Sequence, residues 1–130
     1  MSYYRELVVW QKSKKLAVDI YNLTENLPYK SRALVDQMNR AAVSISSNIA
    51  EGHGRGSLKD YIKFLYISRG SVYELSTQME IFSEIYPNLK DKLKPLFTVC
   101  EEICKMLNSL IKRLKQKLPP KHKSKHFPNT

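Results

Sequence analysis

The sequence predicts an all-α protein, an up-down-up-down antiparallel four-helix bundle, and three observations predict it. Apolar residues recur at steps of three and four over long stretches, the spacing of one helix face. Three of the four glycines fall within residues 52–56, so few breakers interrupt those stretches. The segments between them are short, which makes consecutive helices antiparallel neighbours. Neither strand-like alternation nor an internal repeat is present. With 130 residues, 42% of them hydrophobic, the chain fits one core. We place the bundle at 1–118 and a flexible basic C-terminal tail at 119–130.

The first helix is expected from about Tyr4 to Asn26, ending before Pro28, because proline disfavours helix in the residue ahead of it. Its apolar residues, among them Leu7, Val9, Trp10, Leu16, Ile20 and Tyr21, cover more than half of its circumference. One core needs a stripe of only about 100°. The surplus predicts a second contact surface, most simply for another copy of the chain.

The second helix follows Ser31 as its cap and ends at Gly52, with Leu34, Met38, Ala41, Ala42, Ile45 and Ile49 on its buried face. Residues 52–56 are expected as a tight connection. Ser57 caps the third helix, with Asp60 at the capping-box position. Its core face carries Phe64, Leu65, Ser68, Val72, Leu75 and Met79, and it yields near Ile85 to Tyr86-Pro87-Asn88. The fourth helix spans roughly Leu89 to Leu118, along the seam Leu93, Leu96, Cys100, Ile103, Leu107, Leu110 and Leu114. Pro95 requires either a late start near Lys94 or a kink. Pro119-Pro120 stops it.

Function classes narrow from here. No apolar run approaches the roughly 18–20 residues that span a bilayer, and the N-terminus lacks a signal-peptide layout, so a cytoplasmic location is expected. Cys100 and Cys104, four apart in a helical pattern, read as core residues rather than a disulfide or metal pair. The Gly-rich segment lacks the ending of a phosphate loop. Of the histidines, His122 and His126 lie in the tail and His53 has no nearby Cys, so no catalytic constellation is assembled. The chain is read as no enzyme, with no cofactor and no metal.

The net charge of +10 is uneven. Lys112, Arg113, Lys115, Lys117, Lys121, Lys123 and Lys125 occupy a stretch without a single acid, which points to RNA, DNA or another anionic partner. The outer face of the third helix reads Lys59, Lys63, Tyr66, Gly70 and Tyr73, next to Arg69. Cations interleaved with rings suit a nucleic-acid strand, since phosphates meet Lys and Arg while bases stack on Tyr. The nucleic-acid-binding candidates are therefore Lys59, Lys63, Tyr66, Arg69, Tyr73, Lys112, Arg113, Lys115 and Lys117.

A second set is structural. Gln37, Arg40, Ser44, Asn48 and Glu51 form a polar row beside the apolar face of the second helix, able to satisfy one another or a facing copy. Gly70 in mid-helix costs about 1 kcal/mol relative to Ala. A helix accepts that most readily where another backbone comes close. Arg69 and Glu74 beside it are expected to form ion pairs with neighbouring helices, Arg40 and Glu51 being the candidate partners. With Trp10, these give the structural and oligomer-interface candidates Trp10, Gln37, Arg40, Ser44, Asn48, Glu51, Gly70 and Glu74.

Leu7-Val8-Val9-Trp10-Gln11-Lys12, the run from Gln37 to Gly52, Gly54-Arg55, Phe64-Leu65 and Arg69-Gly70-Ser71-Val72-Tyr73-Glu74-Leu75 carry a resemblance. Together they resemble the four-helix-bundle proteins encoded in intervening sequences of bacterial 23S ribosomal RNA genes. These are similar to the accessory variability determinant protein of diversity-generating retroelements. The resemblance spans about residues 5–115, and the segment Ser44-Ile45-Ser46-Ser47-Asn48-Ile49-Ala50-Glu51-Gly52 is its most specific part. It implies a non-enzymatic homopentamer around a central channel, with structured RNA or a polymerase such as a reverse transcriptase as a possible partner. Two residues depart from the pattern: Asn39, where Arg is frequent, and Pro95.

Overall fold

The computed structural model describes residues 3–120. The basic tail from Lys121 onward, with His122 and His126, lies outside the described residues. Four helices are present: α1 (Val8–Leu23), α2 (Arg32–Gly54), α3 (Leu58–Ile85) and α4 (Lys90–Lys115), with a short 3-10 turn in the α1–α2 and α3–α4 connections. No strand occurs among the described residues. Each helix packs on its neighbours in sequence, α4 closes against α1, and the backbones of the diagonal pairs stay apart. The architecture is thus the expected bundle.

The core is one cluster along the common axis, where Leu16, Ile20, Ile45, Leu75, Phe82 and Leu107 are fully buried. Each such side chain contributes about 1.5–3 kcal/mol relative to exposure. The α2–α3 pair packs most closely, through small residues. Ala41 and Ala42 are buried, the Ser68 hydroxyl donates to the Ile45 carbonyl, and Ser44 and Ser71 hydroxyls pair at 2.8 Å. Ser57 caps α3 as expected, its hydroxyl accepting from the Asp60 N–H at 3.0 Å.

Several boundaries differ from the sequence reading. Residues Tyr3–Glu6 form a 3-10 turn, so α1 starts at Val8 rather than Tyr4. The Gln11 side-chain amide donates to the Arg5 carbonyl at 2.8 Å and holds that turn. At the other end α1 stops at Leu23. The Thr24 hydroxyl donates to the Ile20 carbonyl, and Asn26 adopts a left-handed φ of 60°. Ser31 does not cap α2, because its hydroxyl pairs with that of Tyr86. α2 runs two residues past Gly52, to Gly54. Gly52 is a packing position inside the helix, and the reversal falls at Arg55-Gly56, where Gly56 has φ +82°.

Pro95 lies inside α4, which begins at Lys90, so of the two alternatives the late start near Lys94 does not occur. That close to the N-terminus, proline removes one ladder bond, to the Asp91 carbonyl. Asn39 is half-buried and donates to Val35 O and Thr24 Oγ1, tying α2 to the end of α1. The surplus apolar surface of α1 divides. Leu7, Trp10, Ala17 and Leu23 pack against the core edge, while Val8, Val18 and Tyr21 stay more than half exposed.

A candidate nucleic-acid interface on α3 and α4

Lys59, Lys63, Tyr66, Gly70 and Tyr73 step by four, three, four and three along α3 and share its outward face. All but the half-buried Tyr66 are exposed. α4 supplies the other wall. The Arg69 guanidinium lies over the Tyr66 ring at 4.8 Å from its centre, and Lys115 Nζ lies over the same ring at 5.3 Å. Arg69 also reaches the Tyr73 ring at 6.0 Å and donates from Nη1 to Asn108 Oδ1 at 2.8 Å. One ring therefore organises cations from two helices, and an amide on α4 fixes one of them. The quadrupole of a ring draws a cation to its face, and a held side chain loses less freedom when it meets an anion.

The structure thus gathers Lys59, Lys63, Tyr66, Arg69, Tyr73 and Lys115 on one surface. Lys112 precedes Lys115 by three residues, lies on the same flank of α4 and is exposed. Arg113 is turned away. Two residues from Lys115, it lines the gap between α4 and the start of α1, with Leu7, Val8, Met106 and Leu110. Lys117 is exposed in the turn beyond α4.

Sequence reasoning missed Asn108 and read Cys104 as a core residue, without its place at this surface. Both stand on the flank of Lys112 and Lys115, at helical spacing, which is the signal that could have found them. The Cys104 thiol donates to the Tyr73 hydroxyl at 3.6 Å. Once Cys104 is ionised, the Tyr73 hydroxyl donates to the thiolate instead; that bond, the thiolate's charge and desolvation hold the Tyr73 proton above its ordinary pKa, against the pull of Arg69. Cys100 is buried and its thiol is pushed up to about 11, chiefly by burial. Both cysteines are free, and no cluster of metal-ligating side chains exists among the described residues. His53 packs its ring edge-on against Tyr61 at 5.4 Å, a packing contact between aromatic rings.

The polar row of α2 is only partly self-satisfied. Asn48 donates to the Ser44 carbonyl at 2.8 Å and hydroxyl at 2.9 Å, and Ser44 continues to Ser71. Glu51 pairs with Arg55 at 3.0 Å, and Arg69 is taken by Asn108. The expected ion pairs of Arg69 and Glu74 with Arg40 and Glu51 do not form: nearer partners take Arg69 and Glu51, and Arg40 and Glu74 make no ion pair among the described residues. Gln37, Arg40 and Glu74 are exposed. Trp10 is half-buried, edge-on to Tyr4 at 5.2 Å with Lys14 over its ring at 5.4 Å. Among the described residues nothing lies within 4 Å of the place a Cβ would take on Gly70, so no neighbouring backbone among them explains that glycine.

The family described as 23S rRNA-intervening sequence protein matches residues 5–109 of this chain. Among solved structures, the chain is similar to a protein of unknown function from the S23 ribosomal protein family of Bacteroides thetaiotaomicron VPI-5482. The two are 27% identical with a TM-score of 0.71, over 81% of this chain and 99% of the other. No curated protein matches. No helix among the described residues is long and apolar enough to cross a membrane.

Proposed function

The chain belongs to the 23S rRNA-intervening sequence protein family, and we propose that it is a non-enzymatic, self-associating cytoplasmic bundle that binds nucleic acid, structured RNA above all, through the α3–α4 surface. The observation that carries this reading is Tyr66 beneath both Arg69 and Lys115, on the face that also presents Lys59 and Lys63. Cations from two helices are held in a fixed array that suits a chain of phosphates. Phosphate contacts position a nucleic acid without reading its sequence. Tyr73, 53% exposed, is the ring left open to an unpaired base.

Self-association has its own support. Val8, Val18 and Tyr21 on α1 and Val43 on α2 are each more than half exposed, and Gly70 offers open backbone. The same apolar surface favours a second reading, a protein scaffold or adaptor, for example for a reverse transcriptase. Pull-down with and without nuclease separates the two: a scaffold keeps its partner after nuclease treatment.

The test of the main reading is RNA affinity against salt. Neutralising phosphates releases counterions, so affinity falls by orders of magnitude between about 50 and 200 mM salt when several phosphates are contacted. Affinity that stays level across that range overturns the proposal.

A further inference from the structure

α3 is divided by charge. Lys59, Lys63 and Arg69 occupy its N-terminal part, whereas residues 70–89 contain Glu74, Glu80 and Glu84 and no Lys or Arg. In a chain of net charge +10 this is an acidic island. It carries exposed apolar side chains as well: Ile81 is 48% and Ile85 52% exposed on the outer side of the helix. Glu74, Glu80 and Glu84 are exposed, and none makes an ion pair among the described residues. The result is a ridge whose crest carries Glu74, Ile81 and Ile85, with Glu80 and Glu84 along one flank.

The opposite kind of surface lies between α1 and α4. These helices leave a groove of about 670 Å³. Its apolar lining includes Leu16, Leu23, Leu96 and Val99, and Lys12, Lys15 and Lys92 rim it against one lining acid, Asp19. Lys15 pairs with Asp19 and Lys12 with Glu102, while Lys92 has no ion-pair partner among the described residues. From Lys12 to Leu23 the groove runs about 16 Å along α1, and Glu74 to Ile85 spans about the same length of α3 at 1.5 Å per residue. Length, apolar character and charge sign match.

We propose that the α1–α4 groove of one protomer receives the acidic C-terminal ridge of α3 from a second copy. The inference rests on the self-association reading and gives it a location. Groove and ridge are different surfaces of the same chain, so the contact is head-to-tail, and each copy that fills a groove offers its own ridge to the next. Such heterologous contacts close into a ring where the rotation between copies permits and otherwise run on as an open filament. The basic half of α3 stays outside the contact, so a strand of nucleic acid and a second copy can occupy one protomer together.

Charge reversal tests it by native mass spectrometry and light scattering. Glu80→Lys/Glu84→Lys reverses the ridge, and Lys15→Glu/Lys92→Glu reverses the rim. We expect each double variant to weaken assembly at least about tenfold and shift the mass toward the 15.1 kDa protomer. Combining all four restores assembly, because the signs again oppose. Circular dichroism of each variant controls for folding, and these are exposed positions. An assembly whose mass neither pair changes, or folded variants that the combination fails to rescue, overturns the groove contact while leaving self-association standing. A wild-type chain at 15.1 kDa overturns both, and so does a small acid found in the groove of such a protomer.

Discussion

A Cβ placed on Gly52 would stand 2.6 Å from the Cβ of Phe64. Non-bonded Cβ atoms essentially never sit that close, so α2 and α3 touch there only because Gly52 has no side chain. Tyr61 crowds the same point at 3.3 Å. The close approach of α2 and α3 at this point thus depends on one missing methyl group.

Three glycines within five residues accordingly separate into three behaviours. Gly52→Ala forces the helices apart and costs about 1–3 kcal/mol. Gly56→Ala keeps the space but not the conformation, since φ is +82°, and costs about 1–2 kcal/mol. Gly54→Ala meets nothing within 4 Å inside a helix and stabilises by up to about 1 kcal/mol. Denaturant unfolding of the three variants checks the order, and a Gly52→Ala protein as stable as wild type contradicts it.

Loss of the α3 cap has a defined cost. Ser57→Ala removes the acceptor of the Asp60 N–H and lowers stability by about 1 kcal/mol, whereas Ser57→Asp retains it. Thermal melts of the two variants distinguish the hydrogen bond from the side chain's mere presence.

The two cysteines diverge in reactivity. Cys104 is half-buried at the α3–α4 surface, whereas Cys100 is buried with its thiol pushed up to about 11. A thiol alkylating reagent at neutral pH modifies one cysteine in the folded protein, Cys104, and both after unfolding. Mass spectrometry of peptides reads the outcome.

The same burial makes stability fall at high pH. Folded Cys100 keeps its proton up to about pH 11, against an ordinary value of 9.0. Between those values the unfolded chain binds fewer protons than the folded one, so stability declines as pH rises. Below that window the contribution is fully present. Tyr61, its hydroxyl also raised by burial against the opposing charge of Arg113, extends the decline upward from 10.0. Cys100→Ala flattens the slope between pH 9 and 11 in urea titrations; an unchanged slope assigns it to other groups.

Binding at the α3–α4 surface is tested residue by residue. Arg69→Ala and Lys115→Ala each remove a cation held over Tyr66 and lower the salt slope of RNA binding by about one. The loss is uniform across RNA sequences, because backbone contacts carry no sequence information. Arg113→Ala, turned toward α1, leaves affinity close to wild type. Tyr66→Leu keeps the charge yet weakens binding, because the cations lose the ring that holds them.

Much of this molecule is local, and the local part was legible. The steps of three and four along Leu93, Leu96, Cys100, Ile103 and Leu107 follow from the helical period alone, and all five are buried. Ser57 announces its helix because a cap is read within four residues. The sequence likewise placed Lys59, Lys63, Tyr66 and Tyr73 on one face. What it could not reach is how far apart two helices lie and how each is turned about its axis. Those are settled by packing across the core, between residues tens of positions apart. Tertiary structure therefore decided that Gly52 is a packing position rather than a stop, that Lys115 joins Tyr66 while Arg113 turns away, and that Arg69 takes Asn108 instead of a carboxylate on α2. It also decided that α1 and α4 leave a groove, since a gap belongs to a pair of helices and to neither sequence stretch by itself.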